Sequence, residues 1–237
     1  MDKYKSEPVP NAGKLIILWL AIAVLVPQSQ GQDCPDTTDM DRMLKSEGLV
    51  NVRDLDSAIH VELRFSTVNN PLKADAYGDF CNCYMRPDAA KKLAKAQRLL
   101  SLKRPGYTLL AFDCLRPRTF QRKLFRMVKG TSRQRYVANP ETGSMHNYGC
   151  AIDLSIADSI GNELDMGTEY CYLGDLAQPR YEKKFLKEGK LTKQQLENRK
   201  LLRSVMEGAG FTGLLIEWWH FNAFPKDEVR RRYSIVE

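Results

Sequence analysis

Ser144-Met145-His146-Asn147-Tyr148-Gly149-Cys150-Ala151-Ile152-Asp153 runs from a polar turn into an apolar stretch and carries a histidine and an aspartate. From Cys150 to Ile156 the run is apolar enough for a buried strand, with Asp153 set in its middle. Gly149 and Ala151 are small, as expected where backbone passes close to a bound group. Downstream, Ile216-Glu217-Trp218-Trp219-His220-Phe221 reads as a final strand bearing a second carboxylate and a second imidazole. The chain has only three histidines, and two of them sit in these stretches.

Two imidazoles and a carboxylate suit a catalytic zinc ion, which takes three protein ligands and keeps a fourth position open. His146, Asp153 and His220 form such a set, and Glu217 is placed to act as a general base on water at that centre. Spacing alone leaves another reading open. A histidine in a glycine-containing loop is also a common satisfied polar residue, and an aspartate in an apolar run can be a buried hydrogen-bond acceptor. Geometry adds a condition: in a regular strand, residues i and i+3 point to opposite faces. Glu217 and His220 share a site only if the strand ends or bulges between them.

Ser-x-His-x2-Gly-x-Ala-x-Asp at 144–153 and Glu-Trp-Trp-His at 217–220 resemble the signature of the zinc D-alanyl-D-alanine dipeptidases of the VanX type. The resemblance runs from about Leu55 to Phe221. It takes in Arg64-Phe65-Ser66-Thr67, Cys83-Tyr84-Met85-Arg86, Phe112-Asp113-Cys114-Leu115-Arg116-Pro117, Glu163-Leu164-Asp165-Met166-Gly167-Thr168 and Asn198-Arg199-x2-Leu202, in that order. It implies that His146, Asp153 and His220 hold one Zn2+ per subunit, that Glu217 is the catalytic base and that Arg116 stabilises an oxyanion. Ser144 is expected to hydrogen-bond a substrate carboxylate, and Trp218 and Trp219 to pack against the zinc loops. The implied substrate is D-Ala-D-Ala or a similar cell-wall dipeptide. Alternatives are a D,D-carboxypeptidase on longer peptidoglycan stem peptides, or a zinc-containing module that binds cell-wall fragments without catalysis.

Two departures from the family pattern stand out. Leu115 replaces a tyrosine, which reads as a packing change. Tyr170-Cys171 falls where the family has Phe-Asp, and that aspartate is expected to bind the substrate's amino group. Cys171 fills such a role only as a thiolate, and a disulfide is the other outcome open to it. Asp175 and Glu169 are the candidate substitutes.

Around this centre the chain of 237 residues reads as one α+β domain. The expected architecture is a small, mainly antiparallel sheet with flanking helices and the zinc site between strands and loops. Residues 1–31 read as a signal peptide, with Lys3, Lys5 and Lys14 ahead of a twelve-residue apolar core at 15–26 and small residues before the cleavage point. Twelve apolar residues are short for a membrane span, so no stable span is expected after cleavage, and the product is exported to the periplasm or secreted. Residues 32–50 read as an irregular polar tether or lid, and 51–237 as the catalytic domain.

The charge of the remaining chain is +6, from 33 basic and 27 acidic residues. The basic residues are spread over expected helix faces without aromatic interleaving, which argues against nucleic acid as a partner. Six cysteines (34, 81, 83, 114, 150 and 171) in an exported chain suggest disulfides. Six allow fifteen complete pairings. Cys83 and Cys114 are expected to pair, and Cys150 to be a small buried hydrophobe. Strands are expected at Ile59–Phe65 and Tyr107–Asp113. Helices are expected from Pro87 to Ser101, Pro117 to Lys129 and Thr192 to Gly208, with irregular chain from Asp165 to Lys190.

Overall fold

A computed structural model describes residues 38–70 and 72–237. The signal segment expected at 1–31 lies outside the described residues, as does the start of the tether at 32–37. The elements in chain order are α1 (Asp39–Ser46), β1 (Val50–Asn51), α2 (Val52–Leu55), β2 (His60–Val61), β3 (Tyr84–Met85), α3 (Pro87–Lys103), β4 (Thr108–Asp113), α4 (Arg118–Val128) and β5 (Ala151–Ala157). They continue with α5 (Glu182–Lys187), α6 (Lys193–Gly208), β6 (Thr212–Gly213), β7 (His220–Asn222) and α7 (Lys226–Arg232). A five-stranded sheet has the order β2-β4-β5-β7-β6, and β1 pairs with β3 in a separate ribbon. Only β2–β4 is parallel; the other pairs are antiparallel. The α+β expectation with a mainly antiparallel sheet holds.

The middle of the sheet is β4 and β5. All seven residues of β5 are buried, so it reads as a continuous apolar run instead of an alternating one. The α3 helix begins with Pro87 in its first turn, where the missing N–H costs nothing. It buries Ala89, Leu93, Ala96 and Leu100, at helical spacing, and packs against β4 and α6. Buried Gln97 ties α3 to β4: its Oε1 accepts from Leu109 N at 2.7 Å and its Nε2 donates to Tyr107 O at 3.2 Å. The Cys83–Cys114 disulfide, with its Cα atoms 5.4 Å apart, links the start of β3 to the residue after β4. This is the expected pairing.

Four local expectations change. The described part of 32–50 is largely α1, not irregular chain. Thr38 and Asp41 form a capping box at its start, and Leu44 is fully buried. The strand expected over Ile59–Phe65 is only β2, because the chain turns at Arg64–Ser66 and Phe65 O accepts from Ala76 N and Tyr77 N of the returning loop. The stretch from Asp165 to Lys190 holds α5 and two short 3-10 turns. The final strand begins at His220, with Ile216–Trp219 in an irregular turn ahead of it. Among the described residues no helix is long and apolar enough to cross a membrane.

Candidate metal centre

Strand register does the first part of the assembly. Asp153 of β5 sits directly opposite His220 of β7, and Asp113 of β4 opposite Asp153. The β4–β5 register shifts between Ala111 and Asp113, a bulge that re-aims Asp113. His146 comes from the 3-10 turn Met145–Tyr148 just before β5, whose capping box is built from Ser144 and Asn147. Gly149 then turns the chain into β5 with a φ of +69°. A Cβ there would lie 2.8 Å from Leu49 Cδ2 and 3.2 Å from Arg86 N. The close approach that demands glycine is therefore to the α1–β1 connection and the start of α3. Ala151 instead packs with Met145, Tyr148, Cys150 and Val229.

His146 Nε2, Asp153 Oδ1 and His220 Nδ1 converge. The separations are 3.3 Å between His146 and Asp153, 3.2 Å between His146 and His220, and 2.9 Å between His220 and Asp153. Ligand atoms about 2.0–2.1 Å from a tetrahedral zinc lie roughly 3.3 Å apart. Outer partners orient each side chain. His146 Nδ1 faces Cys114 O at 2.7 Å, which makes it the donor and leaves Nε2 with a lone pair. His220 Nε2 faces Asn222 Oδ1 at 3.1 Å, which leaves Nδ1 as the inward atom. Asp153 Oδ2 accepts from the Tyr170 hydroxyl at 2.9 Å, leaving Oδ1 to face inward.

The three inward atoms lie close enough to share either a proton or a cation. Burial works against charge on Asp153, but the neighbouring imidazoles hold its carboxyl well below the usual carboxylate range. Burial likewise opposes a proton on His220, yet Asp153 pushes its pKa up. The cluster is thus built to hold positive charge, either a proton or a metal ion, and its donor set fits zinc. It is the group of at least three possible metal ligands found among the described residues.

A chamber of about 330 Å³ opens over this cluster and is also lined by Glu217, Arg116, Ser144 and Trp219. All six residues singled out in the sequence therefore meet at one cavity. Glu217 lies in the turn before β7, which meets the condition that the strand end between it and His220. Burial, reinforced by Asp153, raises its pKa, while the two histidines and Arg116 oppose the rise. Trp218 packs as expected, its Nε1 donating to Thr168 Oγ1 at 2.8 Å, but Trp219 faces the chamber as well as Tyr170.

Arg116 is largely withdrawn from solvent, which disfavours its charge, but Asp113 and then Tyr77 more than compensate. Its Nε donates to Asp113 Oδ2 at 2.9 Å, Nη1 to Gln121 Oε1 at 3.0 Å, and Nη2 also bonds Asp113. A guanidinium has five N–H donors, so donors on both Nη atoms remain for a ligand. Asp113, fully buried, also accepts from the Tyr77 hydroxyl at 2.6 Å. The sequence reading gave no role to Asp113, Tyr170 or Asn222. Asn222 had a signal, since a residue two after His220 on a strand shares its face. The bulge that sets Asp113 opposite Asp153 had none.

Cys171 lines the chamber as a free thiol. Burial, followed by the nearby Asp153, pushes its pKa well above the usual thiol value, so it is neither a thiolate nor a disulfide partner. Neither Asp175 nor Glu169 takes its expected place at the chamber wall. Asp175 accepts from Gln178, and Glu169 lines a neighbouring cleft.

A family profile described as D-ala-D-ala dipeptidase matches residues 45–237. The chain is similar to the D-alanyl-D-alanine dipeptidase of Escherichia coli (strain K12), at 30% identity over 173 residues, covering 73% of this chain and 83% of that protein. It is also similar to the protein of the same name from Synechocystis sp., at 28% over 168 residues, covering 58% and 68% of the two chains. The Enterococcus faecium protein of that name is 26% identical over 150 residues, covering 56% and 70%.

Proposed function

Since the chain belongs to the D-Ala-D-Ala dipeptidase family, we propose that it is an exported zinc peptidase that hydrolyses the bond between two D-alanine residues. The supporting observation is the convergence of three candidate ligand atoms, with Glu217 and Arg116 lining the same chamber. Bound there, zinc would supply Lewis acidity, polarising a carbonyl and making hydroxide available near neutral pH.

The chain's own groups do the rest. Glu217 accepts a proton from the attacking water and delivers it to the departing amine, so one carboxylate serves both halves of the reaction. Burial and the absence of any hydrogen bond to Glu217 among the described residues leave its oxygens available for that work. Arg116 offers its remaining Nη donors to the oxygen on which negative charge develops. Asp113 and Gln121 hold the guanidinium in place beforehand, so little reorganisation is needed at the moment of reaction. Ser144 Oγ accepts from His146 N at 3.4 Å, which leaves its own proton free for the substrate's terminal carboxylate. Lys226 on the chamber wall adds a cation for the same group.

Export rests on the signal-like segment and on cysteine chemistry. Cys83 and Cys114 are bonded to each other, and Cys81 is also disulfide-bonded, as suits an oxidising compartment. The testing experiment follows D-alanine release from a panel of free and N-acylated D-Ala-D-Ala substrates, with and without chelator, beside Glu217→Ala. Chelator-sensitive release that is lost in the variant is expected. A folded, zinc-loaded protein that releases nothing from any of them would sink the reading.

A further inference from the structure

A free dipeptide brings two charges into an active site, a carboxylate at one end and an ammonium two bonds from the scissile carbonyl. For the carboxylate, the chamber wall offers the Lys226 cation and the Ser144 hydroxyl. For the ammonium it offers no such partner. Among the described residues lining the chamber, the carboxylates are Asp153 and Glu217 alone. Asp153 has one oxygen turned to the ligand cluster and the other held by Tyr170, and Glu217 is the proposed base. An ammonium placed there would lose its water without gaining a counter-charge, and would sit in the field of Arg116. Such a loss is strongly unfavourable.

The wall where a counter-charge would belong is also the wall that opens. Arg133, Cys171 and Leu173 line both the chamber and a second, larger cleft of about 760 Å³. Cys171 is short, and its thiol is uncharged. That cleft is polar, with Asn69, Lys73, Glu163, Asp165 and Glu169 among its walls, none of these three carboxylates lining the chamber itself. A chain leaving the scissile bond on its acyl side therefore has a way out past Cys171 into room large enough for further residues.

Resting on the D-Ala-D-Ala reading above, we propose that the favoured substrate is a longer or N-acylated peptide ending in D-Ala-D-Ala, with its extension seated in the second cleft. The reaction then is removal of the terminal residue. The last peptide C–N bond breaks, the hydroxyl of water joins the carbonyl carbon, and the remaining proton goes to the released D-alanine amine. No other reactant is required.

The test compares kcat/KM of the zinc-loaded protein for free D-Ala-D-Ala, N-acetyl-D-Ala-D-Ala and diacetyl-L-Lys-D-Ala-D-Ala. The acylated substrates are expected to exceed the free dipeptide by tenfold or more. Cys171→Asp, which puts a carboxylate into the wall, should shift that ratio toward the free dipeptide by at least tenfold, while neutral Cys171→Ser keeps it. Asn69→Trp, on the exposed wall of the second cleft, should raise KM for the lysyl substrate and leave the N-acetyl dipeptide unchanged. A free dipeptide cleaved as fast as the acylated ones overturns the proposal while sparing the D-Ala-D-Ala reading. An Asn69→Trp variant that moves neither KM overturns the seating in the second cleft. No release from any substrate overturns both readings together.

Discussion

The half-buried Glu217 carboxyl has no hydrogen bond among the described residues, and desolvation, reinforced by the charge of Asp153, raises its pKa. A carboxyl whose folded pKa lies above its unfolded value of about 4.3 destabilises the fold once ionised. Stability falls as pH rises from the unfolded to the folded value, and the penalty persists above it. Glu217→Gln removes that charge while keeping the shape. In metal-free protein it should raise the melting temperature at neutral pH and lose the advantage near pH 4, as read by calorimetry across pH. The same variant should lose roughly 10²–10⁴-fold in turnover, and a variant that is neither more stable nor less active would remove Glu217 from its role. Tyr170 makes a different kind of contribution. Its hydroxyl engages the outward oxygen of Asp153 and so fixes which oxygen faces the cluster. Tyr170→Phe should weaken zinc binding about 10–100-fold with little change in fold, measured by chelator competition. Unchanged affinity would make that hydrogen bond incidental to the centre.

At the scale of elements, what is legible in the sequence depends on how local the cause is. The β5 strand is read from its continuous apolar run, and α3 and α6 from helical period and their first-turn residues. Thr192 caps α6, and its hydroxyl accepts from Gln195 N at 3.1 Å. The two candidate histidine ligands are legible because the chain has only three histidines, and Asp153 and Glu217 because their motifs resemble a known pattern. The short β2 is not, since the chain turns after it to meet a returning loop at Ala76 and Tyr77, and neither is the late start of β7, which follows a bend over residues 216–219. Nor could α1 be read from a polar stretch: its few apolar residues count only because Leu44 meets the core. Gly149 shows the two levels meeting. The sequence marks it as a place of close approach, and the fold supplies the neighbour, Leu49 with Arg86 instead of the metal. Gly149→Ala combines a positive φ with a steric clash, so it should cost about 1–3 kcal/mol or more. It should also loosen the turn that carries His146. Denaturant titration and zinc affinity should therefore fall together, and a loss of stability at full zinc affinity would uncouple that turn from the ligand.

At the scale of the whole molecule, two cross-links between parts distant in sequence meet beside His146, the Cys83–Cys114 disulfide and a bound metal. The disulfide closes a separation of 31 residues between β3 and the end of β4, which corresponds to about 3–4 kcal/mol in the chain-entropy account. A bound metal would join the His146 turn, β5 and β7. At a hundred times its dissociation constant it would add about 2.7 kcal/mol, or roughly 5–10 °C in a domain of this size. The two links share a neighbour: the Cys114 carbonyl, attached to one bridging cysteine, accepts the Nδ1–H that orients His146 for the other link. Groups in one such network do not contribute independently. Replacing both Cys83 and Cys114 by alanine should therefore lower stability and also shrink the rise in melting temperature that saturating zinc produces. Four melting curves close this cycle, with and without zinc for the parent and the double variant. A zinc-induced rise of equal size in both proteins would mean that the disulfide braces the sheet alone. A smaller rise in the variant would mean that it also holds the backbone from which the metal centre is hung.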